Sequence, residues 1–85
     1  MSDPAMPEGW QRRDGRIHRV FEFPDFARAF GFMASVAVVA QEMDHHPNWS
    51  NVYSTVEVEL WSHDTGGITD RDVRRATRMN ELFGG

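Results

Sequence analysis

Val56, Val58 and Leu60 alternate with Glu57, Glu59 and Trp61, a period of two that predicts a strand over 55–62 with one buried face, and His63 continues the Glu57, Glu59, Trp61 face. Nearer the N-terminus, Asp14-Gly15 separates Trp10-Arg13 from Ile17-Phe23. An Asp-Gly pair supplies the positive φ of a tight hairpin turn, so these two runs predict a first β-hairpin with Ile17, Phe21 and Phe23 on one face and Val20 on the other. Phe26, Phe30, Met33, Ala37 and Ala40 then recur at spacings of four, three, four and three. That rhythm predicts one apolar stripe on a helix opened by Pro24-Asp25 and running to about Met43, widened by Ala29, Val36 and Met43. Val38 and Val39 leave its far side less polar than full solvation requires, which points to a second buried contact such as another subunit.

Pro47 stops that helix and biases His46 toward an extended backbone, so a short strand is expected over Asn48 to Val52, turning at Tyr53-Ser54 into the alternating strand. Thr65-Gly66-Gly67 reads as a turn, and Thr69 with Asp72 three positions on forms a variant of the capping box that starts a last helix. Its inner stripe is Val73, Ala76, Asn80 and Phe83, flanked by Met79, with Arg71, Arg74, Arg75 and Arg78 on the remaining surface and Gly84-Gly85 at its end. The order β-β-α-β-β-α predicts an α+β two-layer sandwich, a four-stranded antiparallel sheet with two helices on one face. Residues 1–9, aperiodic and proline-bearing, are expected to form a flexible leader before a single domain over 10–85. With 85 residues the core is modest, and self-association would help it.

Composition removes several chemistries. A net charge of −4 argues against a nucleic-acid binder held by phosphate neutralisation and favours a small polar ligand. All nine basic residues are arginine, which excludes Schiff-base and lysine-nucleophile catalysis, and the absence of cysteine excludes disulfides and thiol catalysis. The longest mostly apolar run, Phe32 to Ala40, is too short to span a bilayer, and with no signal-peptide pattern a cytoplasmic protein is expected. No phosphate loop, Gly-x-Gly-x-x-Gly or Gly-x-Ser-x-Gly motif occurs.

The remaining chemistry sits at two turns. Asp44-His45-His46-Pro47-Asn48-Trp49, with Tyr53 beyond it, and His63-Asp64 place three imidazoles where they can converge, each with an ordinary pKa of about 6.5 and so able to exchange protons near neutrality. A solvated polar loop accounts for the pair equally simply, and a metal site is a third reading without a recognised ligand motif. Trp49 and Tyr53 suit either a wall for a flat heterocycle or core filling. The arginine face of the last helix suits an anion, an acidic partner or plain solvation. His18 lies in an early strand and joins no cluster.

Taken together, the run Phe26 to Met33, the run Asp44 to Tyr53, and Ser62-His63-Asp64 with Arg71-Asp72 beyond resemble the pterin-4a-carbinolamine dehydratases, over Trp10 to about Phe83. The resemblance implies dehydration of a 4a-hydroxytetrahydropterin to quinonoid dihydropterin in tetrahydrobiopterin recycling, with no cofactor and no metal. It implies His45 and His63 as the acid–base pair and His46 as a pterin ligand. Asp44 would support the imidazoles, Pro47, Trp49 and Tyr53 would shape the pocket, and Arg71 and Asp72 would lie at its edge. It also implies a homo-oligomer, a tetramer or dimer, with no direct nucleic-acid or membrane partner. Where that family usually has an acid four residues before the first histidine, this chain has Gln41, with Glu42 beside it. A neutral amide hydrogen-bonds but carries no charge, which leaves a non-enzymatic binding or regulatory module on the same fold as the alternative.

Overall fold

The computed structural model describes residues 6–42, 47–62 and 66–84. Its elements are β1 (Gln11–Arg13), β2 (Arg16–Glu22), α1 (Phe26–Glu42), β3 (Asn48–Val52), β4 (Thr55–Leu60) and α2 (Asp70–Phe83). The predicted hairpin forms, and Asp14 and Gly15 both take positive φ, 50° and 75°, as a two-residue turn matched to strand twist requires. One antiparallel sheet results, in the order β1-β2-β4-β3, so the fold is the expected α+β arrangement with β2 and β4 in the middle and β1 and β3 at the edges.

The two sheet faces divide as the period-two pattern requires. Ile17 and Phe21 of β2 and Val56, Val58 and Leu60 of β4 are buried in one cluster with Ala29, Phe32 and Val36 of α1 and Ala76 and Met79 of α2. Trp10 closes one side of that cluster, with its ring edge-on to Phe21 at 5.9 Å between centroids. Burial of this apolar area is the main favourable contribution to the fold.

The predicted stripe on α1 is rotated in the structure. The face turned to the core is Ala29, Phe32, Val36 and Ala40, whereas Phe26 and Phe30 are 48% and 58% exposed and pack on each other at 5.9 Å. The reason is that α1 is apolar on two sides, and only the partner surface selects between them. Phe32 wins because it fills a niche between Phe21, at 4.7 Å, and Phe23, at 5.2 Å, and the alanines beside it let the helix approach the sheet. On α2, Arg75 was expected at the surface and is instead 2% exposed, because its guanidinium has a buried carboxylate to meet.

The chain is already held against α2 before β1 begins. Trp10 Nε1 donates to Asn80 Oδ1 at 3.0 Å, Asn80 Nδ2 and Arg19 Nη1 both donate to the Glu8 carbonyl at 3.0 Å, and the Arg19 guanidinium lies over the Phe21 ring at 4.4 Å. Gly9 sits in this junction with φ +84°, and a Cβ there would come within 2.7 Å of the Arg19 guanidinium. Gly9→Ala is therefore expected to cost about 1–2 kcal/mol from the left-handed backbone alone, with displacement of Arg19 adding to it, read as a lower midpoint in urea unfolding. Among the described residues no helix is long and apolar enough to cross a membrane.

Candidate active site

Asp44, His45, His46 and His63, four of the sequence-predicted site residues, lie outside the described residues. What the structure describes is the frame that carries them. β3 pairs with β4 in a register that sets Asn48 opposite Glu59 and Val52 opposite Thr55. The start of β3 and the end of β4 are therefore at the same end of the sheet, on neighbouring strands roughly 4.8 Å apart. Half-buried Pro47 leads into β3 there, and Trp61 and Ser62 continue from β4. Pro47 has no backbone N–H, so its place before an edge strand leaves no ladder bond unmade.

Ser62 is fully buried and begins a tight loop. Its N–H donates to the Gly67 carbonyl at 2.7 Å, and its own carbonyl accepts from Gly66 N–H at 2.9 Å and Gly67 N–H at 3.2 Å. Its hydroxyl donates to Asp72 Oδ2 at 2.9 Å and lies 2.8 Å from Thr69 Oγ1. Asp72, also fully buried, is the acceptor at the centre: Oδ2 takes the Thr69 backbone N–H at 2.9 Å and Oδ1 takes Arg75 Nη1 at 3.0 Å. The bond from Thr69 N–H is the predicted capping contact at the start of α2. Burial lowers the Arg75 pKa from its ordinary value, and the hydrogen bond and charge of Asp72 act against that fall. Asp72, expected at the pocket edge, thus spends its carboxylate on protein donors, while Arg71 one position earlier is exposed.

On the face opposite the helices, Asn48, Trp49, Ser50, Glu57 and Glu59 line a groove of about 330 Å³. Trp49 is half-buried and packs against the core, as the core-filling reading expects, and it also lines this groove. Tyr53 is set apart from the rest, 69% exposed at the β3–β4 turn with φ 53°, at the end of β3 away from Pro47. His18 does join a cluster, contrary to expectation. It is buried on the helix-free face, Arg13 Nη2 donates to Nδ1 at 3.3 Å, and Nε2 meets Glu57 Oε2 at 2.7 Å. Arginine only donates, so Nδ1 accepts and the proton sits on Nε2, directed at Glu57. The Arg13 contact follows from the β1–β2 hairpin and the Glu57 contact from the pairing of β2 with β4, which a single sequence does not reveal. The buried Ser62 and Arg75 were missed because only the packing of α2 on the sheet buries them, although the Thr69/Asp72 spacing marked their partner. Among the described residues no group of three or more His, Cys, Asp or Glu is placed to hold a metal ion.

Comparison with known proteins adds a consistent result. Residues 2–82 match the family model described as pterin 4 alpha carbinolamine dehydratase. A relative from Nitrobacter hamburgensis, provisionally named as a pterin-4-alpha-carbinolamine dehydratase, is 59% identical over 76 residues, covering 87% of this chain and 75% of the relative. One from Paraburkholderia xenovorans with the same provisional name is 53% identical over 80 residues, covering 92% and 83%. Among solved structures, the crystal structure of a transcriptional coactivator/pterin dehydratase from Brucella melitensis superposes with a TM-score of 0.88 at 46% identity, covering 91% of this chain and 84% of that one.

Proposed function

The chain belongs to the pterin 4 alpha carbinolamine dehydratase family, and from that premise we propose that it dehydrates a 4a-hydroxytetrahydropterin to quinonoid dihydropterin and water, in the recycling of tetrahydrobiopterin. The reaction removes the proton from N5, forms the N5–C4a double bond, breaks the C4a–O bond and delivers a proton to the departing hydroxyl. One base and one acid with pKa values near ambient pH suffice, and imidazole provides both. His45 and His63 form that pair, and His46 binds and orients the pterin. Asp44 holds the imidazoles, and Pro47 and Trp49 shape the adjoining wall. The observation that carries the reading is the family match together with the β3–β4 register, which brings the chain ends on either side of the two histidine segments to one end of the sheet. It does not depend on Tyr53.

The protein works in the cytoplasm as a homo-oligomer. Support for self-association comes from Phe26, Phe30 and Val38, large apolar side chains that α1 leaves exposed, and support for the compartment from the absence of cysteine. A second reading, a non-enzymatic binding module, is favoured by Gln41 in place of the family's usual acid and by the word coactivator in the name of the Brucella protein.

The deciding experiment is the decay of freshly generated 4a-hydroxytetrahydropterin with and without purified protein. Acceleration that scales with protein concentration, and that survives exhaustive treatment with a chelator, is expected. A protein that leaves the spontaneous decay unchanged while binding a pterin analogue would establish the second reading instead.

A further inference from the structure

Resting on the proposed dehydratase activity, we infer that Asp72 is a positioning residue, which acts through Ser62 to fix the backbone from which the His63 segment departs. Ser62 is the last described residue before His63, and its amide and carbonyl are both engaged with Gly66 and Gly67 across the loop. The side-chain network centres on the Asp72 carboxylate. The Ser62 hydroxyl donates to Asp72 Oδ2 at 2.9 Å, and Thr69 Oγ1, 2.8 Å from Ser62 Oγ, also donates to Oδ2 at 3.4 Å, so both hydroxyls close on the same carboxylate oxygen. Ser62 and Thr69 together tie the end of the sheet and the first turn of α2 to one carboxylate, and Arg75 secures its other oxygen at 3.0 Å.

Asp72 is 0% exposed, so it meets substrate only through other groups. A wholly apolar junction would satisfy the core at lower desolvation cost, since buried charge is weak in stabilisation but strong in specifying one arrangement. What the network does specify is the location and direction of the chain at Ser62. General acid–base catalysis is sensitive to that variable, because a shift of about 1 Å in a catalytic group can cost on the order of a hundredfold in rate.

The test compares Ser62→Ala, Ser62→Thr and Asp72→Asn by steady-state kinetics, circular dichroism and NMR titration of the His63 imidazole. Ser62→Ala leaves Asp72 its bonds from Thr69 and Arg75. It is expected to lower kcat by roughly ten- to a hundredfold with KM changed by less than about twofold, while remaining fully folded, and to shift the His63 titration. Asp72→Asn is expected to act in the same sense, and Ser62→Thr, which keeps the hydroxyl, to recover most of the rate. Folded Ser62→Ala and Asp72→Asn with unchanged kcat and an unmoved His63 titration would overturn the inference. So would a loss of rate that merely follows the unfolded fraction. If the natural protein shows no turnover, the dehydratase reading fails on that result alone, and the His63 titration in Ser62→Ala still decides whether the network positions that ring.

Discussion

Replacing His45 and His63 together by alanine is expected to return dehydration of the 4a-hydroxytetrahydropterin to its spontaneous rate. A positioned general acid or base contributes typically about 10²–10⁴-fold, and in the proposed reaction the two imidazoles act on the same step, one taking the proton from N5 and the other delivering one to the hydroxyl. Their effects should not multiply. Once one partner is gone the other has little left to assist, so each single variant should already show most of the loss, as groups acting as a unit do. Both substitutions leave the described core of Ile17, Phe21, Val56, Val58 and Leu60 unaltered in sequence, so the circular dichroism spectrum and thermal midpoint are expected to stay close to those of the natural chain. Retained acceleration in a folded double variant would falsify histidine catalysis here, whatever the family.

Asp72→Ala is expected to be the most damaging single change to stability. It leaves the Arg75 guanidinium, with a side chain 3% exposed, buried without its carboxylate, and Arg75 Nε already has no hydrogen-bond partner among the described residues. Breaking a buried pair by removing one member costs about 3–5 kcal/mol. A domain of this size has roughly 4–13 kcal/mol in total, so the variant should lose a large share of its stability and show a much lower denaturation midpoint. The cause can be isolated. Arg75→Met in the Asp72→Ala background removes the stranded charge and keeps an apolar chain of similar length, so the double variant should be more stable than Asp72→Ala alone. A chemical-denaturation cycle measures this, and an Asp72→Ala cost below about 1 kcal/mol, or no recovery on adding Arg75→Met, contradicts the assignment.

The sheet was legible because its signals are local. Asp14-Gly15 can take the positive φ values of a hairpin turn, and the alternation from Thr55 to Leu60 admits one register of faces. Helix α1 was legible in extent but not in orientation. With apolar side chains on both sides, its buried face is chosen by the shape of the sheet, and Phe32 fits where Phe30 does not. The polar groups of the core were the least accessible. The spacing of Thr69 and Asp72 announces a cap, yet nothing local says that the same carboxylate also receives Ser62 and Arg75, or that His18 lies between Arg13 and Glu57. The Ser62–Asp72 and His18–Glu57 contacts depend on how the elements pack, whereas Arg75 stands one helical turn from Asp72 and Arg13 lies across the first hairpin from His18, spacings that allow those pairs without revealing their burial. The histidine motif offered candidate proton-transfer chemistry by residue type and spacing alone, and its imidazoles lie outside the described residues.

The strand order has one more consequence, in the time domain. β4 is hydrogen-bonded on both sides, to β2 and to β3, whereas β3 has a single neighbour. Strands in the middle of a sheet open only with the whole domain, while an edge can fray at much smaller free energy. Of the two backbone anchors of the site, Ser62 thus hangs from the slowest-breathing strand and Pro47 from one of the fastest. Fluctuations of the folded protein will loosen the second far more often than the first, giving the site one steady jaw and one yielding jaw.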